Sequence, residues 1–199
     1  MKSVVHLLAS SIFLMSVFFL GSSHLGYPSL LQPPPSTWPM PYLASVYFLF
    51  SGIAFFTLFS RTALSKIIGF IIFLLAFLRV IELLFFPDSI VYSIFNSIHF
   101  NLSNSSKMVL PAAIGFMLIG MMFVFWPTKK QLLLNKVILH LISSLIVFLG
   151  AMGAFASLLS IQENHPLQGK LIHFYTAVGF LVVGFGFVFA KFQKKGLRF

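Results

Sequence analysis

Six stretches of nearly uninterrupted apolar residues divide the chain: Val4 to about Leu25, Pro41 to Phe59, Ser65 to Phe86, Val109 to Trp126, Lys136 to Ile161 and Leu171 to Ala190. Each holds about 18 residues or more, which at about 1.5 Å per helical residue matches a hydrocarbon core about 30 Å thick. The runs are continuously apolar, whereas the strands of a membrane barrel alternate apolar and polar positions over about 10 residues. Helices are therefore the predicted elements, because a helix satisfies its own backbone where no water is available. The fold class expected is an all-α integral membrane protein of six transmembrane helices, one domain over residues 1–199.

Composition agrees with lipid as the solvent, since 59% of the residues are hydrophobic and 8% are charged. The mean hydropathy of +1.01 lies far from a soluble domain's balance. The charges that remain are placed asymmetrically. Lys2, Arg61, Lys66, Lys129, Lys130, Lys136, Lys191, Lys194, Lys195 and Arg198 fall at the amino end, in the second and fourth inter-helix loops and at the carboxyl end. Lys107 and Lys170 fall on the other side. The positive-inside rule then puts both termini in the cytoplasm, and a bacterial inner membrane is the expected location. The net charge of +10 is mostly this topology. It offers no basic soluble face to nucleic acid, although the KFQKKGLR tail suits anionic lipid.

Three of the helices share an internal pattern. ASVYFLFSG at 44–52, AAIGFMLIG at 112–120 and TAVGFLVVG at 176–184 align Phe48 with Phe116 and Phe180, and Gly52 with Gly120 and Gly184. The offsets are 68 and 64 residues, and Met40 and Met108 match eight positions before the phenylalanine. The unit predicted is an outgoing helix, an external loop and a returning helix, repeated at about 1–61, 62–128 and 129–199. The phenylalanines and glycines read first as helix packing, small residues admitting a neighbouring backbone and the ring filling the adjacent gap. The first apolar segment also has the look of a secretory signal peptide, but the repeat makes it the partner of helix two and so a retained helix.

These returning helices resemble the six-helix membrane sensor region at the amino end of bacterial sensor histidine kinases and diguanylate cyclases, whose returning helices carry Met-x-Pro-Asn-Thr-Ala-x-x-Phe-x-x-x-Gly. An outgoing helix of that family ends near Leu-Leu-Glu-Tyr-Leu, and VIELLF at 80–85 is similar to it, placing Glu82 at the family's glutamate. Thr176-Ala177 matches the threonine-alanine step; Ala44-Ser45 and Ala112-Ala113 stand there in the other two repeats, and all three lack the asparagine. The resemblance implies an input region, and no output domain follows within the 199 residues.

Arg79 and Glu82 are the charges inside the apolar runs that carry the candidate chemistry. Three residues apart, they share a helix face. Counted from Lys66, they lie about 20 and 24 Å along the helix, in the outer leaflet. One reading pairs Arg79 with Glu82 or Asp88 near the interface, which lowers an insertion penalty of about 2.5–3.5 kcal/mol. The other makes the pair the polar floor of an outward-opening pocket for an anionic or carbonyl-bearing ligand, with Thr176, His173 and Trp38 as further ligand-binding candidates. Prolines 33–35 with Pro39 and Pro41 stiffen the first external loop around Trp38, and residues 90–98 have the spacing of an amphipathic helix.

Histidine and cysteine usage narrows the chemistry further. His6 and His140 lie at matching cytoplasmic depth, where two imidazoles would ligate a haem, but no other haem cue accompanies them and no cofactor is expected. His24, His99, His165 and His173 fall on the external side, where a metal or a pH response is the alternative to solvated side chains. The chain has no cysteine and only three acids, so thiolate chemistry is excluded and paired-carboxylate catalysis has little material. An enzyme is not expected. The function expected is sensing of a small apolar or amphipathic molecule, or of membrane state, with the signal passed to a separate cytoplasmic or membrane partner. A small transporter or channel and an accessory subunit are the alternatives, and a homo-oligomer is compatible with each. Three repeats in one orientation do not match the inverted-repeat plan of many transporters.

Overall fold

A computed structural model describes residues 2–25, 40–85, 108–126, 133–160 and 172–195. They form six helices: α1 Lys2–His24, α2 Tyr42–Thr57, α3 Thr62–Phe85, α4 Leu110–Val124, α5 Leu133–Ser160 and α6 Phe174–Lys195. Two prolines set helix starts. Pro41 is the residue before α2, and Pro111 occupies the first turn of α4, where its missing N–H has no intrahelical partner to lose.

Successive helices run antiparallel and pack most extensively as α1 on α2, α3 on α4 and α5 on α6. Contacts of α2 with α3, α4 with α5 and α6 with α1 close these hairpins into a ring, and α2, α4 and α6 meet one another at its centre. The returning helices are thus the core, and the outgoing helices surround them. Large apolar side chains of α1, α3 and α5 such as Leu14, Phe70 and Phe155 are exposed, as a lipid-facing surface requires.

The three central helices run parallel, with buried layers spaced alternately three and four residues apart, the spacing of a coiled-coil seam. Phe48, Phe116 and Phe180 form one layer, a closed triangle with ring centroids 4.7, 4.9 and 5.6 Å apart. Seven residues on, Phe55, Phe123 and Phe187 form a second triangle at 4.7, 4.8 and 5.0 Å. Between them lie Ser51, Ile119 and Val183, and beyond the second tier Leu58, Trp126 and Ala190, all buried. Each ring leans on the next helix in the same rotational sense. A Cβ on Gly115 would come within 2.6 Å of the Phe180 ring, a Cβ on Gly179 would collide with the Phe48 ring, and Phe116 packs on Tyr47 at 4.8 Å.

The repeated glycines serve a different contact. They face the outgoing partner: a Cβ at Gly52 would lie 3.1 Å from Phe13, one at Gly120 2.5 Å from the Phe73 amide nitrogen, and one at Gly184 2.5 Å from Val147. These partners fix the register of the outgoing helices, with Phe13, Phe73 and Val147 equivalent at offsets of 60 and 74 residues. Ile12, Ile72 and Ile146 then coincide, all buried, as do Val5, Ser65 and Leu139. The repeat therefore extends to both helices of each hairpin.

Membrane-spanning length was expected of all six segments; Ser3–His24, Thr62–Phe85 and Val137–Leu159 are long and apolar enough to cross by themselves, and Tyr42–Thr57, Leu110–Val124 and the Phe174–Ala190 part of α6 are shorter apolar helical stretches. Surrounded by other helices, α2 and α4 meet little lipid, so their ends need not match the hydrocarbon thickness that the outer helices must match.

Truncating the axis should be costly. Phe180→Ala is expected to destabilise the protein by about 3–5 kcal/mol, while Phe155→Ala on the exposed face of α5 should change it by about 0.5 kcal/mol or less. Denaturant unfolding of both variants in the same detergent measures the contrast, and equal losses would refute the axial packing.

Candidate functional site

The buried positions of α3 are Ser65, Gly69, Ile72, Ala76, Arg79 and Glu82, a single stripe at helical spacing. A charged side chain on any other face of α3 would meet lipid, so the stripe is where the two charges are least costly. Arg79 is 1% exposed and Glu82 5%. An Arg79 Nη1–H donates to Glu82 Oε2 at 2.7 Å, closing an ion pair across one turn. The other terminal nitrogen, Nη2, reaches the Met108 carbonyl at 3.4 Å. Met108 directly precedes the Val109 cap of α4. The guanidinium therefore ties α3 to the chain as it enters α4.

Each hairpin has a polar contact of its own at this end. In the first, Tyr42 Oη lies 3.3 Å from His24 Nε2, joining the last turn of α1 to the first of α2. In the third, Ser157 Oγ–H donates to the Ile172 carbonyl at 2.8 Å, joining α5 to the chain before α6. Met108 and Ile172 are equivalent positions, 64 residues apart. The repeats thus solve one problem, holding the entry of a returning helix, with three different side chains.

The position of Arg79 is likewise filled three ways. Its equivalents at offsets of 60 and 74 are Phe19, whose ring packs on Tyr175 at 4.8 Å, and Gly153, where an added Cβ would lie 3.0 Å from Ile172. An aromatic ring, a cation and a bare backbone occupy the same place in the ring of hairpins.

Thr176 and His173 lie elsewhere. They stand one and two layers beyond the Phe180 tier on α6, Thr176 level with Ala44 and Ala112, and His173 level with Pro41 and Val109. Thr176 is fully buried and its hydroxyl has no hydrogen-bond partner. His173 is half-buried, and its carbonyl accepts the Ala177 N–H at 2.9 Å to open the helix. The candidate ligand set therefore divides: Arg79 and Glu82 at the seam of α3 and α4, Thr176 and His173 on the axial side of α6.

Trp38 lies outside the described residues, as do prolines 33–35, Asp88, the 90–98 segment, His99 and His165. His6 is on the exposed face of α1, stacked on Phe56 at 6.1 Å, and His140 is on the exposed face of α5. Around the ring α6 stands between α1 and α5. Among the described residues, no three histidines, cysteines or acids gather as a metal site would need.

Sequence reasoning missed the second phenyl tier, although Phe55, Phe123 and Phe187 repeat at the same 68 and 64 offsets as the first. It also missed the hairpin contacts of His24 and Ser157. Neither has a sequence signal, since one polar side chain meeting a single distant hydroxyl or backbone carbonyl leaves no pattern.

The ion pair gives a direct test. Glu82→Leu alone leaves a buried guanidinium without its carboxylate and is expected to cost about 3–5 kcal/mol, whereas adding Arg79→Met should recover most of that loss. Unfolding of the two single variants and the double variant in detergent reads the coupling, and additive losses would show that the two side chains do not act as a pair.

Comparison with family models, with curated proteins and with solved structures gave no match to this chain. Sequence and structure together establish a six-helix all-α protein with several apolar helices of membrane length, built as three hairpins.

Proposed function

We propose that this chain is a multi-pass sensor of the bacterial inner membrane, with both termini cytoplasmic, which responds to a small apolar or amphipathic molecule or to membrane state in the outer leaflet. The signal passes to a separate partner. The observation that carries the reading is the contact of the buried Arg79 with the Met108 carbonyl across the α3–α4 hairpin. Buried intramembrane charges are costly and are functional suspects for that reason. Here the cation bridges two helices at the end opposite Arg61 and Lys66. A ligand oxygen that competes for the guanidinium would loosen one hairpin entry and leave the other two contacts in place. The phenyl tiers would then convert that loosening into a shift of packed helices, because close-packed interfaces move between discrete arrangements.

The resemblance to six-helix input regions of sensor kinases and cyclases supports the same reading, and it implies an output protein. A transporter or channel reading has less behind it. Two phenyl triangles fill the central axis, leaving no polar route along it.

The test is to purify the chain from its native membrane in mild detergent after crosslinking. A cytoplasmic signalling protein should accompany it, and Arg79→Lys, which keeps the charge but loses the planar fork, should alter that partner's output. Solute uptake by liposomes holding this chain alone, with no partner recovered, would overturn the proposal.

A further inference from the structure

We infer that the lipid-facing surface where α1 and α5 begin carries two equivalent seats for an anionic phospholipid, its phosphate held at a lysine and a histidine position and its ester carbonyls one turn deeper at a serine. The seats lie at the end of the bundle opposite the Arg79 seam and stand whether or not a signalling partner exists.

The register of the outer helices aligns KSVVHLLAS at 2–10 with KVILHLISS at 136–144. Lysine, histidine, leucine and serine recur at the same four places. In α3 the corresponding stretch is TALSKIIGF at 62–70, with Lys66 at the histidine position and Phe70 at the serine position. Helix packing does not account for the recurrence, because other residues do the packing. Val5, Ala9, Leu139 and Ser143 are the buried ones, whereas His6, His140 and Ser144 are exposed and Ser10 is half-buried. His6 stacks on Phe56 of α2 at 6.1 Å, and Phe56 is itself exposed, which fixes the imidazole on the lipid-facing side of the α1–α2 hairpin.

Steps of four residues keep the three polar positions on one helix face, each about 6 Å further along the axis than the last. They form a ladder about 12 Å long, lysine at the helix start, then histidine, then serine. Leu7 and Leu141 beside it are 67% and 65% exposed, and the equivalent Leu14 and Phe148, further along, are exposed as well. A phospholipid presents its own chemistry in the same order of depth: an anionic phosphate, ester carbonyls below it, then hydrocarbon.

Charge selects an anionic lipid. The acids of the chain are Glu82, Asp88 and Glu163, one in the last turn of α3 and the others in the sequence that follows α3 and α5, so no aspartate or glutamate stands beside these basic positions. An imidazole has an N–H to donate in either protonation state, and a phosphate oxygen is the acceptor that strengthens such a bond. Free phosphate would satisfy the lysine and the histidine but would leave the serine and the exposed leucines unused. A diacyl lipid engages all of them.

Native mass spectrometry of the full chain, released from detergent micelles, tests this by measuring retained lipid. Phosphatidylglycerol is expected to be retained about 5-fold or more over phosphatidylcholine. His6→Leu with His140→Leu, both at lipid-facing positions, should lower phosphatidylglycerol retention about 5- to 10-fold at an unchanged unfolding temperature, whereas Lys66→Leu should lower it less than about 2-fold. Ser10→Ala with Ser144→Ala should lower retention of the ester-linked lipid about 3- to 5-fold and leave that of its ether-linked analogue, which has no ester carbonyls, unchanged. Equal retention of the two headgroups, or retention unaltered by the histidine pair, would mean a nonspecific lipid annulus or capture by the lysine-rich tail and would overturn the inference. Displacement of the lipid by millimolar inorganic phosphate would overturn it in favour of a free-anion site. Equal losses for the ester- and ether-linked lipids would overturn the role of the serines.

Discussion

Helices in lipid gain nothing from burying leucine against leucine, because the hydrocarbon they leave is as apolar as the neighbour they meet. What holds this bundle must therefore be close packing, and the phenyl triangles at the centre are fully buried contacts of that kind. Three edge-on rings interlock only if each has somewhere to lean. Gly115 and Gly179 supply that place for Phe180 and Phe48, and the face of Tyr47 supplies it for Phe116. The glycines at 52, 120 and 184 do the complementary task of drawing each outgoing helix onto the back of its returning partner. Axis and periphery are thus fixed by glycines five positions apart on α4 and α6, and by Tyr47 and Gly52 at the same spacing on α2.

That division explains the shortness of α2 and α4 and the polar contents of the helices. The outer helices meet lipid and carry one buried stripe each; the central helices are enclosed on nearly every side. A buried charge or hydroxyl in such a molecule can lie on an outer stripe or on the axis. Arg79 and Glu82 take the first course and Thr176 the second, while Ser51 is accommodated on the axis by bonding back to the Tyr47 carbonyl.

Six helices, their approximate bounds and the pairing of α1 with α2 were legible in the sequence because apolar run length and a repeated Phe and Gly leave direct traces. The proximity of Arg79 and Glu82 was legible too, since i and i+3 share a face in any helix. The register of the outgoing helices was not. Loops of different length shift their offsets to 60 and 74, so the match with the returning helices at 68 and 64 is lost, and the buried stripe itself repeats only in size and apolarity. Nor was the separation of Thr176 from Arg79 legible, because both fall at similar depth and only the ring arrangement shows that one faces the axis and the other a seam. The shortness of α2 and α4 was hidden by their flanks: Phe59 and Trp126 extend the apolar run past the helix end.

Where the threefold pattern fails is as informative as where it holds. The second phenyl tier is the same in all three repeats, and the layers on either side of it change size but remain apolar, apart from the self-satisfied Ser51. At the opposite end the repeats diverge in chemical kind: Phe19, Arg79 and Gly153 share one position, Ala44, Ala112 and Thr176 another, and the three hairpin entries are held by a tyrosine with a histidine, an arginine and a serine. A bundle selected only to be stable has no reason to introduce a buried cation and an orphan hydroxyl at positions where its other repeats do well with rings, methyl groups and bare backbone. Each departure costs desolvation that the symmetric solution avoids. The departures gather at one end of the bundle and at two places, the α3–α4 seam and the axial side of α6.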